Sequence, residues 1–119
     1  GSKIVVKNGR IIGEGWHRRC GGDHAETAAL KNTVRRGNSA EGAIVYVTLE
    51  PCPMCAGALV NSRIDKVVFA VRDSVAGCLG SVINFNRYPF NHAFAVEEGV
   101  LAGESAALLK AFFEEKRKK

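Results

Sequence analysis

The chain has 119 residues, 46% of them hydrophobic, which is enough apolar material for one compact core and too little length for two. Seventeen Lys and Arg against twelve Asp and Glu leave a formal charge of +5, an excess that favours polyanionic partners. No apolar run approaches the roughly 20 residues of a membrane helix, and none reads as a secretory leader. The expectation is therefore a single domain over residues 1–119, cytoplasmic and without a membrane partner, with Gly1-Ser2 as a cloning remnant.

Taken in chain order, the apolar run Ile4 to Lys7 meets Asn8-Gly9, a strong two-residue hairpin signal, and a return strand follows from Arg10 to Trp16. Arg18 to Asp23 is polar, with Gly21-Gly22 as its flexible point. Asp23 is an N-cap for a helix starting at His24 and carrying Ala28, Ala29, Leu30 and Val34; Gly37 to Gly42 ends it. Ala43 to Leu49 is nearly continuous in apolar character, as in a strand covered on both faces. A helix from Pro53 to about Ser62 and a buried-type strand from Lys66 to Val71 come next. Arg72 to His92 reads as a long loop with a short helix inside, Phe94 to Glu97 as a last strand, and Ala102 to Lys116 as an amphipathic helix. Strands alternating with helices imply a three-layer α/β/α fold around a mixed, mostly five-stranded sheet.

Four cysteines, Cys20, Cys52, Cys55 and Cys78, would suit two disulfides in a secreted protein. The tight Cys52-x-x-Cys55 pair, with His24-Ala25-Glu26 upstream, favours metal binding in a reducing compartment instead. Cysteines three apart at a helix start share a face, and the positive end of the helix dipole stabilises their thiolates. Together with His24 they make three ligands, which leaves tetrahedral zinc one open position. Glu26 lies nearly opposite His24 on a helical wheel, so a shared site requires the ion to lie off the helix end.

Each residue also has a plainer reading. Cys52 and Cys55 alone suit a structural zinc pair or buried thiols, and His24 alone a surface or satisfied core histidine. Glu26 alone suits a capping box with Asp23. Adding Cys20 as a fourth ligand would close the site and make it structural. Cys78 and His92 read as loop-packing residues. Arg18, Arg19, Lys31, Arg35 and Arg36, and the run Lys116 to Lys119, are solvated faces or phosphate contacts. Phe85, Tyr88 and Phe90 in the long loop are base-stacking candidates, with anchoring of the loop to the core as the rival role, the stronger one for Phe85.

The combination H-x-E with P-C-x-x-C resembles the zinc nucleobase deaminases. Within the cytidine deaminase-like superfamily, the stretch from Tyr46 to Ala58, YVTLEPCPMCAGA, is similar to bacterial tRNA-specific adenosine deaminases. So are Ser62-Arg63-Ile64, Val67-Val68-Phe69, Arg72-Asp73, Gly80-Ser81, Asn91-His92 and Gly99-Val100-Leu101. The resemblance is dense over 43–117 and looser over 4–30. It implies a homodimeric zinc hydrolase that converts adenosine to inosine in a tRNA anticodon loop or other single-stranded nucleic acid. His24, Cys52 and Cys55 would be the Zn2+ ligands and Glu26 the proton shuttle, with Asp73 beside the nucleotide preceding the target.

Three features depart from that family. His17 stands where the family usually has an Asn that contacts the base, and is a candidate substrate contact in its place. Gly15-Trp16-His17 through Glu26 resembles the pyrimidine deaminases of riboflavin synthesis, whose cysteine loop is longer. The helix normally ahead of the first strand is absent, as in a trimmed, minimised or designed chain. The alternatives left open are cytosine deamination in single-stranded DNA or RNA or of a free pyrimidine nucleotide, and a non-catalytic zinc-stabilised nucleic-acid-binding module.

Overall fold

Asn8 (φ 53°) and Gly9 (φ 74°) both take the left-handed backbone that a two-residue hairpin turn demands, and they join strands β1 (Ser2–Lys7) and β2 (Arg10–Trp16). The computed structural model describes residues 2–16, 25–90 and 92–98. After the hairpin come α1 (Ala25–Arg35), β3 (Ile44–Leu49), α2 (Pro53–Asn61), β4 (Lys66–Val71), a single 3-10 turn (Phe85–Arg87) and β5 (Ala95–Glu98). The strands form one five-stranded sheet in the order β2-β1-β3-β4-β5. β1 is antiparallel to both its neighbours, while β3, β4 and β5 run parallel. The sheet is therefore mixed and the fold α/β, as the alternation of elements implies.

The near-continuous apolar strands are buried on both faces. Val45 and Val47 of β3 and Val67 and Phe69 of β4 join Val5, Ala29, Leu30, Leu59 and Ile64 in the core beneath α1 and α2. The intervening residues Tyr46 and Val68 join Ile4 and Val6 in a second cluster on the other face. Strand alternation sends successive side chains to opposite faces, so each apolar run supplies both cores. Each fully buried side chain of Leu59 or Phe69 size contributes on the order of 1.5–3 kcal/mol over the exposed state. The helix expected over 102–116, which would form the third layer, lies outside the described residues, as do Asp23 and His24 at the expected helix start.

One expectation on α1 is corrected. Val34 is 68% exposed, and Thr33 takes the inward place beside Ala29 and Leu30. Positions 29, 30 and 33 share one helix face, whereas 34 falls at its edge. The inward face is set by β2, where Gly13 lies against Ala29 and Thr33. Further along, the Asn38 side chain donates to the carbonyl of Ile12. The helix therefore runs opposite to β2, and Ala25 lies toward the end where β2 finishes. A register shift between Val5 and Val6 leaves Ile12 as the extra residue of a bulge just before Gly13.

Candidate active site

β2, β3 and β4 run in one direction, so their C-terminal ends, and the segments that follow β3 and β4, lie at one edge of the sheet. In open α/β sheets this carboxyl edge is where ligands bind. At that edge β3 passes through Glu50 and Pro51 into Cys52, the N-cap of α2. Cys52 is extended (φ −80°, ψ 174°), its side chain makes no capping hydrogen bond, and Pro53 takes the first helical position. Cys55 follows one turn later and is fully buried, while Cys52 is half-buried. The two sulfurs thus occupy the N-cap and third helical positions, the start-of-helix placement that the spacing predicts.

The other expected ligand, His24, lies outside the described residues, as do His17 and Cys20, and Glu26 is described only as a backbone position in α1. Among the described residues no three metal-binding side chains come together. Cys78 is close enough for Cys52 to raise its pKa, but burial is the larger cause, with Glu50 and Asp73 adding to it. Its sulfur donates to the Ala76 carbonyl at 3.4 Å, which marks it as a packing thiol, as expected. Two thiols at the positive end of a helix, one of them unused in capping, form a donor pair that fits zinc completed by an imidazole.

Glu50, which carries no motif role in the sequence, organises this edge. Glu50 is 2% exposed, and its carboxylate gathers the loop after β4 around itself. Oε1 accepts the Asp73 amide at 3.1 Å and the Ser81 hydroxyl; Oε2 accepts the amides of Leu79 (2.9 Å) and Ser81 (3.1 Å). Hydrogen bonds to a charged acceptor are each worth on the order of 1.5–3 kcal/mol, so a buried carboxylate is held here by amides with no counter-charge among these contacts. Burial raises the Glu50 pKa, but the Ser81, Asp73 and Leu79 hydrogen bonds outweigh it and keep the carboxyl below its ordinary value. The Cys78 amide donates to the Pro51 carbonyl at 2.9 Å, which seats the same loop against the cysteine turn. Gly77 completes the fit: a Cβ there would come 2.5 Å from Glu50 Oε1 and from the Asp73 carbonyl oxygen. The signal in the sequence was a lone carboxylate ending the apolar run 44–49, with Gly77, Gly80 and Ser81 downstream.

Asp73 builds the loop as well as facing the edge. Its Oδ1 accepts the amides of Val75 (2.9 Å) and Ala76 (3.1 Å), and its carbonyl accepts the Gly77 amide. Tyr88 and Phe90, about half exposed, cluster with Phe85, which packs on the core; ring centroids lie 6.1 Å apart for Tyr88–Phe90 and 5.4 Å for Phe85–Phe90. His92 Nε2 lies 2.6 Å from the Ile64 carbonyl oxygen, a packing role as expected. An open cleft of about 760 Å³, lined in part by Leu30, Arg35, Glu41 and Arg63, lies at the C-terminal ends of α1 and α2. That places it at the far end of α2 from Cys52, so it takes no part in this site. No described helix is long and apolar enough to cross a membrane.

The model of the cytidine and deoxycytidylate deaminase zinc-binding region matches residues 1–71. The chain is 43% identical to a tRNA-specific adenosine deaminase of Bacillus subtilis, over 98% of this chain and 76% of that protein. It is 39% identical to a diaminohydroxyphosphoribosylamino-pyrimidine deaminase of Buchnera aphidicola, over 92% and 75% respectively. A structure from work on A-to-I editing by tRNA A34 deaminases at the wobble position of transfer RNA superposes with a TM-score of 0.71 at 31% identity. It covers 82% of this chain and 81% of that one.

Proposed function

Because this chain belongs to the cytidine and deoxycytidylate deaminase zinc-binding family and is a zinc-dependent deaminase, we propose that it converts adenosine to inosine in a tRNA anticodon loop. The match to the adenosine deaminase over 98% of the chain carries this reading. The charge of +5 agrees with a polyanionic substrate, and a loop base needs little energy to leave its stack. We further propose a single domain acting as a homodimer in the cytoplasm.

In this reading His24, Cys52 and Cys55 would hold the zinc, which would supply a water made acidic enough to ionise near neutral pH. Glu26 takes a proton from the attacking water and delivers it to the ring nitrogen, then assists the departing amine. Water adds, ammonia leaves, and the purine keeps a carbonyl where the amine stood. The cysteine turn sits at the start of α2, where the helix dipole favours the thiolate forms. His17, Asp73, Tyr88 and Phe90 contact the nucleotides around the target, the half-exposed rings of Tyr88 and Phe90 offering stacking surfaces.

The test is one pooled reaction of zinc-loaded protein with tRNA anticodon hairpins, single-stranded RNA and single-stranded DNA, followed by sequencing. A-to-G changes in the hairpins are expected. C-to-T changes would replace adenine with cytosine as the target, and turnover undiminished in Glu26→Ala would remove Glu26 from its role.

A further inference from the structure

The loop from Asp73 to Ile83 is irregular in sequence yet tied down almost continuously. Its Asp73, Leu79 and Ser81 amides and the Ser81 hydroxyl converge on one buried carboxylate. The Cys78 amide reaches the Pro51 carbonyl, and the Gly80 amide donates to the Ile83 carbonyl at 2.9 Å. Gly77 is packed so closely on Glu50 that no side chain fits there. From this fixed backbone Val75 and Val82 stand out into solvent, 86% and 53% exposed. Exposed valines on a mobile loop tip would be unremarkable. Here the backbone that carries them is tied to Glu50 and, through the Cys78 amide, to the cysteine turn, so both valines are presented from fixed positions.

We propose that Glu50 is a positioning residue: its carboxylate fixes the 73–83 loop against the cysteine turn, making Val75 and Val82 a preformed wall for the nucleotide flanking the target. The wall's substrate rests on the deaminase reading above, whereas the anchoring does not. Preorganisation of this kind acts on binding, because a loop that must be ordered by the substrate draws on its binding energy. Glu50 touches no reacting atom, so its loss acts on KM before kcat.

Two sets of measurements separate the parts. The first is amide hydrogen exchange on zinc-loaded wild type, Glu50→Gln and Ser81→Ala. The Asp73, Leu79 and Ser81 amides should exchange about tenfold or more faster in Glu50→Gln, with the amides of β4 unchanged. Ser81→Ala removes a single hydroxyl contact and should give a smaller change of the same kind, so the proposal stays testable if Glu50→Gln folds poorly. The second is steady-state deamination of an anticodon hairpin, with zinc content measured alongside. KM should rise about fivefold or more in Glu50→Gln and in Val75→Ser, with kcat within about twofold and zinc content unchanged. Wild-type exchange at the three amides in both Glu50→Gln and Ser81→Ala would overturn the anchoring. A fall in kcat and zinc content at constant KM would overturn the wall, assigning Glu50 to the metal turn instead. A wild-type protein inactive on every hairpin would refute the proposed substrate and the wall built on it, leaving the exchange result to decide the anchoring.

Discussion

Gly13→Ala tests the packing that seats α1, the helix carrying Glu26. A Cβ at residue 13 would lie 2.9 Å from the Ala29 carbonyl oxygen and from Thr33 Cβ, and closer still to Thr33 Oγ1. Thr33 is fully buried and its hydroxyl donates to the Ala29 carbonyl at 2.9 Å, so it cannot swing away without breaking that bond. The helix itself must lift from β2. Overpacking of this kind costs about 1–3 kcal/mol, a large share of a total stability of about 5–15 kcal/mol. For a chain of this length the melting temperature should fall by roughly 5–15 °C. Thermal unfolding of zinc-loaded Gly13→Ala, Thr33→Ala and the double variant is the assay. Thr33→Ala removes the hydroxyl, the atom the new Cβ meets most closely, while the contacts with the residue-33 Cβ and the Ala29 carbonyl oxygen stay, so the double variant should be more stable than additivity predicts by about 1 kcal/mol. A Gly13→Ala protein melting within about 1 °C of wild type, or strictly additive changes, would refute the close-packing argument.

Other positions make independent predictions. Arg63 (φ 54°) follows the C-cap of α2 in a left-handed conformation that favours glycine; Arg63→Gly should stabilise the fold by about 0.5–1 kcal/mol, read as a rise in urea midpoint. Cys55→Ala should lose bound zinc and melt lower, and chelation of the wild type should reproduce the drop reversibly, both measured by metal analysis with thermal unfolding. The Arg72 guanidinium, bonded to Glu98 at 2.5 and 2.6 Å, holds that carboxyl below its ordinary value. A lowered folded-state pKa means the pair's contribution is present above the unfolded carboxylate pKa and fades as pH falls through the folded one. Acid unfolding of Arg72→Ala should therefore show a shallower acid limb than wild type, the difference shrinking in high salt because both groups are exposed. An unchanged limb would show that the pair contributes nothing measurable.

Local chemistry wrote much of this protein into its sequence. Asn8-Gly9 specifies a hairpin because few other dipeptides accept two left-handed residues, and Pro53 starts α2 because its missing amide costs nothing there. The runs 44–49 and 66–71 announced strands buried on both faces, since only a covered strand tolerates apolar residues at both parities. The cysteine pair was legible for the same local reason, three residues apart at a helix start. What the sequence could not decide is whatever depends on segments meeting across the fold. Thr33 faces inward and Val34 outward because Gly13 of a distant strand opens the space. Glu50 reads as an ordinary charged residue after a strand until the loop 23 to 31 residues onward folds back to surround it with amides. A buried carboxylate is stable only when its partners are delivered to it, and only the tertiary structure delivers them.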